Sequence, residues 1–326
     1  MRTALVTGAA GCVGFALAFR LHAHGVHVRT LTRPGSHMEL LNGLPIEPFT
    51  GDICDPDLLR RAVEGCDAVF HAAAVVTFAR KARDEQIRVN VGGTRAVVRA
   101  CLECGVEVLV HTSSVTTIGT PTQGEEADET LTADLAHARG YKRSKLLAED
   151  EIRMGVTEGL RAVIVNPSVI MGERDIHFHA GQLIRDIRRG RIPFYVRGGM
   201  NIVYAGDVAE GMIAAAERGR TGERYILAGE NMTHREIFRR TAELVGGSPP
   251  FARFPLPLLR AVGAIVEGAS TLIGVEPPIT RDLAAIAGRY HWFSAAKARR
   301  ELGFSATPFD ATILAAYRWY ADHGYL

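Results

Sequence analysis

Tyr141 and Lys145 stand four residues apart at the head of a helical pattern running from Tyr141 to Met154. Residues i and i+4 share a helix face, so both can point into one volume. A free phenol titrates near about pH 10, and a neighbouring ammonium favours its ionised form. Such a pair can pass a proton to or from an oxygen near neutral pH. The same spacing also arises by chance, from an amphipathic tyrosine followed by a solvated lysine. A third group bears on the choice. The apolar run Val106 to His111 ends in Thr112-Ser113-Ser114. Hydroxyls at the carboxyl edge of a parallel strand face the crevice where ligands bind. Ser114, with Ser113 as second candidate, can donate to a carbonyl oxygen as negative charge develops there. The bland alternative is a serine that satisfies loop backbone.

The elements needed to position these groups are legible upstream. Strand-like runs at Thr3 to Val6, Val26 to Thr32, Ala68 to His71, Val106 to His111 and Arg161 to Asn166 alternate with helical patterns. The helices are expected at Val13 to His24, Asp55 to Glu64, Gln86 to Cys104 and Tyr141 to Met154. Continuously apolar strands imply burial on both faces, and strand–helix alternation implies a doubly wound α/β sheet of the Rossmann type. Asp55-Pro56-Asp57 supplies a cap and an N1 proline, and Gly25 and Gly105 sit where left-handed caps belong. Beyond Asn166 the alternation loosens. Asn201 to Tyr204 and Arg224 to Leu227 read as further strands, and the remainder as mainly helical. A dinucleotide-binding domain over 1–170, with 200–228 returning to it, and a smaller substrate lobe over 171–199 and 229–326 is therefore expected.

The cofactor end begins between the first strand and the first helix, at Thr7-Gly8-Ala9-Ala10-Gly11-Cys12-Val13-Gly14. After a buried strand, Gly8, Gly11, Cys12, Val13 and Gly14 let the backbone turn sharply and bring free helix N–H groups to a pyrophosphate. The second strand ends in Thr32-Arg33-Pro34. Sites for NAD place a carboxylate there, whereas a guanidinium can pair with a 2′-phosphate, so NADP(H) is expected over NAD(H), which stays possible. The alternative is that Arg33 is a solvated surface charge. Asp52 and Ile53, after another short strand, suit an adenine amino group and ring. Ala72, Ala73 and Ala74 permit close contact with ribose and pyrophosphate.

Together with Asn90-Val91-Gly92-Gly93-Thr94, these motifs resemble the extended short-chain dehydrogenase/reductases, over nearly the whole chain. Thr32-Arg33-Pro34 and the run Phe293 to Phe304 look most like the dihydroflavonol-reductase-like, 3β-hydroxysteroid-dehydrogenase-like and hopanoid-associated epimerase-like branches. The resemblance implies that Tyr141 is the general acid/base, that Lys145 lowers its pKa and holds the nicotinamide ribose, and that Ser114 polarises the carbonyl. It places Asn90 as a structural or relay residue of the cofactor site, with Thr112 nearby. Asn166 to Gly172, through Pro167, Ser168 and Val169, borders the nicotinamide. Cys12 departs from an aromatic common in relatives and reshapes the loop slightly. The resemblance also implies a homodimer formed by the helices at Gln86 to Cys104 and Lys142 to Met154.

Nucleotide-sugar epimerases of that family carry an arginine where this chain has Met200, which turns the expectation toward another substrate. Val76, Phe78, Ser114, Met171, Phe178 and Tyr204 are the candidate substrate contacts, with Ile118 and Phe194 in neighbouring segments. They suit a moderately apolar ketone or alcohol. Two further readings stay open: an epimerase or dehydratase with tightly retained cofactor, and a protein that senses NADP(H) without catalysis. His177 and His179, beside Glu173 and Asp175, fit either an extended loop or a metal, and no metal is expected.

With 38 basic and 36 acidic residues among 326, the net charge of +2 gives no reason to invoke nucleic acid. All five cysteines precede residue 105, including the Cys101-to-Cys104 pair. An odd count without a framework argues for reduced, buried thiols in a cytoplasmic protein. The strand pattern entered at Thr3 leaves no room for a signal peptide. The apolar stretch Pro255 to Gly274 contains Arg260 and Glu267, so it reads as a buried helix lining a pocket rather than a membrane span.

Overall fold

The computed structural model describes residues 1–77, 79–121, 124–176, 178, 180–272 and 286–326. The strands, in chain order, are β1 (Thr3–Thr7), β2 (His27–Thr32), β3 (Ile46–Thr50), β4 (Ala68–His71), β5 (Val108–Thr112), β6 (Ala162–Pro167), β7 (Val169–Met171), β8 (Phe194–Tyr195), β9 (Gly199–Tyr204), β10 (Arg224–Leu227), β11 (Glu230–Thr233), β12 (Ala252–Arg253) and β13 (Tyr290–His291). Seven of them form one parallel sheet in the order β10-β6-β5-β4-β1-β2-β3. The order reverses between β1 and β4, where an open parallel sheet leaves a crevice at its carboxyl edge. The central strands are largely apolar because both faces are covered. Ala4, Val6, Phe70, Val108 and Val110 pack on one side, and Leu5, Val69, Leu109 and Ile164 on the other.

Helices α1 (Cys12–Ala23), α2 (Pro56–Val63), α3 (Arg83–Gln86), α4 (Gly93–Cys104) and α5 (Gly140–Thr157) supply the crossovers. Asp55 caps α2, its carboxylate accepting from the N–H groups of Asp57 and Leu58, with Pro56 as the first helical residue. Gly25 and Gly105 adopt φ of 75° and 66°, as their positions after helices require. The helix expected without a break over Gln86 to Cys104 is interrupted by a π-helical turn at Ile87–Gly92. That turn carries Asn90 to the backbone of Val75, which its side chain clasps from both sides.

The smaller lobe holds α6 (Gln182–Arg188), α8 (His234–Val245), α9 (Leu256–Leu272) and a terminal helix at Phe309–Asp322. It also contains a second sheet, in which β9 pairs with β7, β11 and β13. Two expectations are corrected here. The chain does not rejoin the large sheet at residue 200: β9 lies in the small sheet, and α7 (Ala205–Arg218) with β10 makes the return. The stretch from Pro255 forms α9, but its Leu258 and Val262 are exposed, so this is not a buried helix, although Leu259 does line the cavity described below. Among the described residues, no helix is long and apolar enough to cross a membrane.

Candidate active site

The carboxyl ends of β1, β4, β5 and β6 converge on one crevice. Gly8 has φ of 74°, and a Cβ there would lie 2.8 Å from the backbone of Ala73; at Gly14 it would lie 2.2 Å from the carbonyl of Gly8. Only glycine fits either position, and the loop therefore packs directly on the strip after β4. Gly11 caps α1 with no side-chain hydrogen bond, and the first turn carries no acidic residue. A helix start left open in this way is an anion site, so the loop fits a dinucleotide pyrophosphate. Cys12 donates its thiol to the carbonyl of Glu173 at 3.2 Å, tying the loop to the segment after β7.

Around the other cofactor positions the picture is mixed. Arg33 is exposed at the tip of β2 and makes no ion pair among the described residues. Asp52 is already engaged: Arg88 reaches it at 2.7 Å and the Cys54 N–H at 2.9 Å. The paired guanidinium and the Cys54 N–H hold its carboxyl below the usual range. Arg88 escaped the sequence reading because only the π-helical turn brings it there. Ile53 is buried against α4, where a Cβ at Gly93 would touch it, and so belongs to the core. Asn90 is 1% exposed and spends its amide on Val75 and on the Ser144 hydroxyl. Asn90 thus ties the strip after β4 to the start of α5. Ala72 to Ala74 are half-buried, Val169 is exposed, and Pro167 and Ser168 are buried at the end of β6.

Beneath this strip runs a directed hydrogen-bond chain. Ala73 N–H donates to the Thr7 hydroxyl, which leaves that hydroxyl's proton for His71 Nδ1 at 2.8 Å. Thr94 donates to the Asn90 carbonyl and so accepts from His71 Nε2 at 3.0 Å. His71 is thereby fixed as the neutral Nε2–H tautomer. Burial agrees, pushing its pKa down to about 3, with Lys145 adding to the shift. Ser144 continues the chain by donating to the Tyr141 carbonyl at 2.8 Å. The glycine loop and the start of α5 are thus linked through side chains.

At the chemical end, Tyr141 hydrogen-bonds with Ser114, whose Oγ also accepts from the Thr116 N–H. Ser113 instead donates to the fully buried Glu149 at 2.6 Å, so of the two serines Ser114 is the one that meets Tyr141. Lys145 is 3% exposed and donates to the Thr112 carbonyl at 2.8 Å. Burial pushes it down to about 8, and Glu149 opposes that shift. Burial also pushes Tyr141 up, to about 12, with the Ser114 hydrogen bond pulling the other way. The expectation that Lys145 depresses the tyrosine is therefore not met here: desolvation dominates, and Lys145 directs one of its three donors at the Thr112 carbonyl.

Glu149 is the residue that pattern reading missed. It accepts from Ser113, from Thr117 at 2.7 Å, from Asn166 at 2.9 Å and from Arg153 at 2.8 Å. It locks the serine loop, the end of β6 and α5 together. Its place one turn beyond Lys145 on the same helix face was the available signal.

A cavity of about 1380 Å³ opens beside Tyr141, walled by Val115, Ile118, Val169, Met200, Phe238, Leu259 and Phe293 among others. Several expected substrate contacts lie elsewhere. Met171 is buried in the lobe core, Phe178 stacks on Tyr320 with ring centres 5.1 Å apart, and Tyr204 donates to Glu173 at 3.0 Å. Each is an apolar or amphipathic side chain absorbed by packing. Val76 is exposed and outside the cavity wall, while Ile118 and Phe194 are part of it. Phe78, His177 and His179 lie outside the described residues.

The sheet, glycine loop and Ser114–Tyr141 pair define a dinucleotide-binding protein of the Rossmann type. The chain belongs to the NAD-dependent epimerase/dehydratase family, whose model matches residues 4–228. The solved structure of gox2253 superposes with a TM-score of 0.90 at 38% identity, covering 100% of this chain and 99% of that one. A nucleoside-diphosphate-sugar epimerase from Pseudomonas aeruginosa is similar with a TM-score of 0.83 at 30% identity, covering 100% of this chain and 99% of the other. A 4-hydroxy-2-methyl-3-oxo-4-farnesyl-3,4-dihydroquinoline-1-oxide ketoreductase of Stigmatella aurantiaca is 32% identical over 94% of this chain and 92% of its own.

Proposed function

We propose that this protein is an oxidoreductase that reduces the ketone or aldehyde of an apolar small molecule, using NADP(H) in preference to NAD(H). The observation that carries the reading is the Tyr141–Ser114 hydrogen bond at the wall of a large apolar cavity, with Lys145 sealed behind it. The ketoreductase relative supports the same direction.

The glycine loop would hold the pyrophosphate, Ala72 to Ala74 and Lys145 the ribose beside the nicotinamide, and Pro167 to Val169 the ring itself. When bound, the dinucleotide supplies the hydride. Tyr141, kept as a phenol by burial, is a proton donor rather than a base, which suits reduction. A carbonyl oxygen between Tyr141 and Ser114 would accept from both hydroxyls as its charge grows. Arg33, exposed and without an ion pair among the described residues, is the group for a 2′-phosphate, while Asp52 is compensated by Arg88.

Tyr141→Phe keeps the ring and removes the proton. It should lower kcat by about a hundredfold or more, while NADPH binding measured by fluorescence stays within about twofold. A fully active Tyr141→Phe protein refutes the assignment. The epimerase relative motivates a second reading, turnover without net NADPH consumption. Against it, Met200 lines the cavity where the resemblance calls for an arginine, and Arg197 is not part of the wall.

A further inference from the structure

The cavity wall has an unusual charge balance. Its described residues include Arg83, Arg139, Lys142, Arg191 and Arg289, together with three histidines, but no aspartate or glutamate. Of the cations, Arg191 is 4.0 Å from Asp186, and Arg139 donates to the carbonyls of Ala136 and Ala138. Lys142 and Arg289 have no hydrogen bond or ion pair from their side chains among the described residues, and they feel each other's charge. Asp134, the carboxylate that acts on Lys142 from a distance, is exposed and pairs with His137. His291 lies in the same field, neutral, with Nε2 donating to the Ile286 carbonyl at 3.1 Å.

Two like charges facing one cavity, with no carboxylate among its described wall residues, raise its potential, and apolar walls concentrate it. Burial of Lys142, with the Arg289 charge adding to it, disfavours its ammonium, and an anion entering the cavity would offset that. Lys142 and Tyr141 both line this cavity, so a group held by Lys142 shares it with the phenol. The remaining wall is apolar, with Phe194, Phe238, Phe254 and Phe293, and its volume exceeds the usual range of about 300 to 1,000 Å³ for small-ligand pockets.

We propose that the substrate carries an acidic group, a carboxylate or a phosphate, that is held by Lys142 and Arg289 beside His291, with a large apolar body filling the rest of the cavity. This rests on the reading of the cavity as the substrate site.

The test uses a matched pair of fluorescent probes on the full chain with NADP present: anilinonaphthalene sulfonate and phenylnaphthylamine, which share the apolar rings and differ by the anion. The sulfonate should bind more tightly than the neutral probe. Lys142→Met with Arg289→Met should weaken the sulfonate about tenfold or more, and the neutral probe less than twofold. Lys142→Arg should retain sulfonate binding, and it guards against a variant that fails to fold. Displacement of the sulfonate by a medium-chain β-oxo carboxylate assigns the acid as carboxylate; displacement by a medium-chain alkyl phosphate assigns it as phosphate. Equal binding of the two probes, a double variant that binds the sulfonate unchanged, or displacement by neither competitor overturns the inference. Because the readout is binding, those outcomes leave carbonyl reduction intact, and an active Tyr141→Phe protein leaves the anion site intact.

Discussion

Replacing Glu149 tests whether one buried carboxylate holds the serine loop in register with α5. In Glu149→Ala the Ser113 hydroxyl loses its acceptor, whereas Thr117 and Asn166 can both fall back on the Ser114 carbonyl. Arg153 is 42% exposed and can turn to water. Breaking a buried ion pair costs about 3 to 5 kcal/mol; Arg153 can be rehydrated, but Arg224, 3.8 Å from the Glu149 carboxylate and only 11% exposed, is left with its charge uncompensated. An orphaned hydroxyl adds about 1 kcal/mol, and removal of a buried charge returns part of the total. A loss of about 3 kcal/mol results. At about 2.1 cal/mol/K of unfolding entropy per residue, that lowers Tm by roughly 4 to 5 °C in a chain of 326 residues. Glu149→Gln keeps an acceptor for Ser113, Thr117 and Asn166 and loses the charge facing Arg153 and Arg224. It should cost about 1 to 2 kcal/mol. Activity should separate the variants further. Alanine frees the Ser114 loop and should lower kcat about tenfold to a hundredfold, with KM for NADPH nearly unchanged; glutamine should restore most of it. Thermal melts and steady-state NADPH oxidation measure both. Alanine and glutamine variants equally impaired, or an alanine variant as stable as the parent, would refute the reasoning.

Two further outcomes follow from the charges at the site. Lys145 falls to about 8 in the folded chain because burial disfavours its charged form. Unfolding raises it toward about 10.4, so between those values the unfolded chain binds a proton that the folded chain does not. Its contribution to stability therefore rises with pH across that window, by about 3 kcal/mol, and is absent below it. Urea titrations of the parent and of Lys145→Met without cofactor, at pH values spanning the window, check this; a stability difference flat with pH contradicts it. For Arg33→Ala, the NADPH-to-NADH ratio of kcat/KM should drop about tenfold or more, since a bidentate phosphate contact is lost. An unchanged ratio returns Arg33 to the solvated surface.

What the sequence made legible was whatever repeats along a single element. The five apolar runs became strands of one parallel sheet because burial on both faces leaves no alternation to misread. Gly8 and Gly14 were recognisable because their glycine identity answers a backbone demand that no side chain can share. The failures fall on contacts made across elements. Met171, Phe178 and Tyr204 have suitable side chains for a pocket, yet Met171 is buried in the lobe core, Tyr320 and Arg185 stack on Phe178, and Glu173 takes the Tyr204 hydroxyl. Arg88 and Asn90 depend on the π-helical turn, which no periodicity announces. Ser113 and Ser114 are adjacent and chemically identical, and only Glu149, thirty-six residues beyond Ser113, tells them apart.

One cause acts in opposite directions on the two residues of the Tyr141–Lys145 pair. Burial raises the phenol and lowers the ammonium, so desolvation drives both toward their uncharged forms. The i, i+4 spacing alone suggested a lysine that makes the tyrosine more acidic. The geometry gives that lysine to the Thr112 carbonyl and the tyrosine to Ser114, so their coupling depends on whatever charge enters the crevice between them. A phenol held near about 12 does not ionise on its own at neutral pH, yet it remains more acidic than an alcohol, and proton transfer to an alkoxide formed against Ser114 is downhill. On the function proposed above, carbonyl reduction is the direction that starts from the protonated Tyr141, and burial of the phenol favours that form.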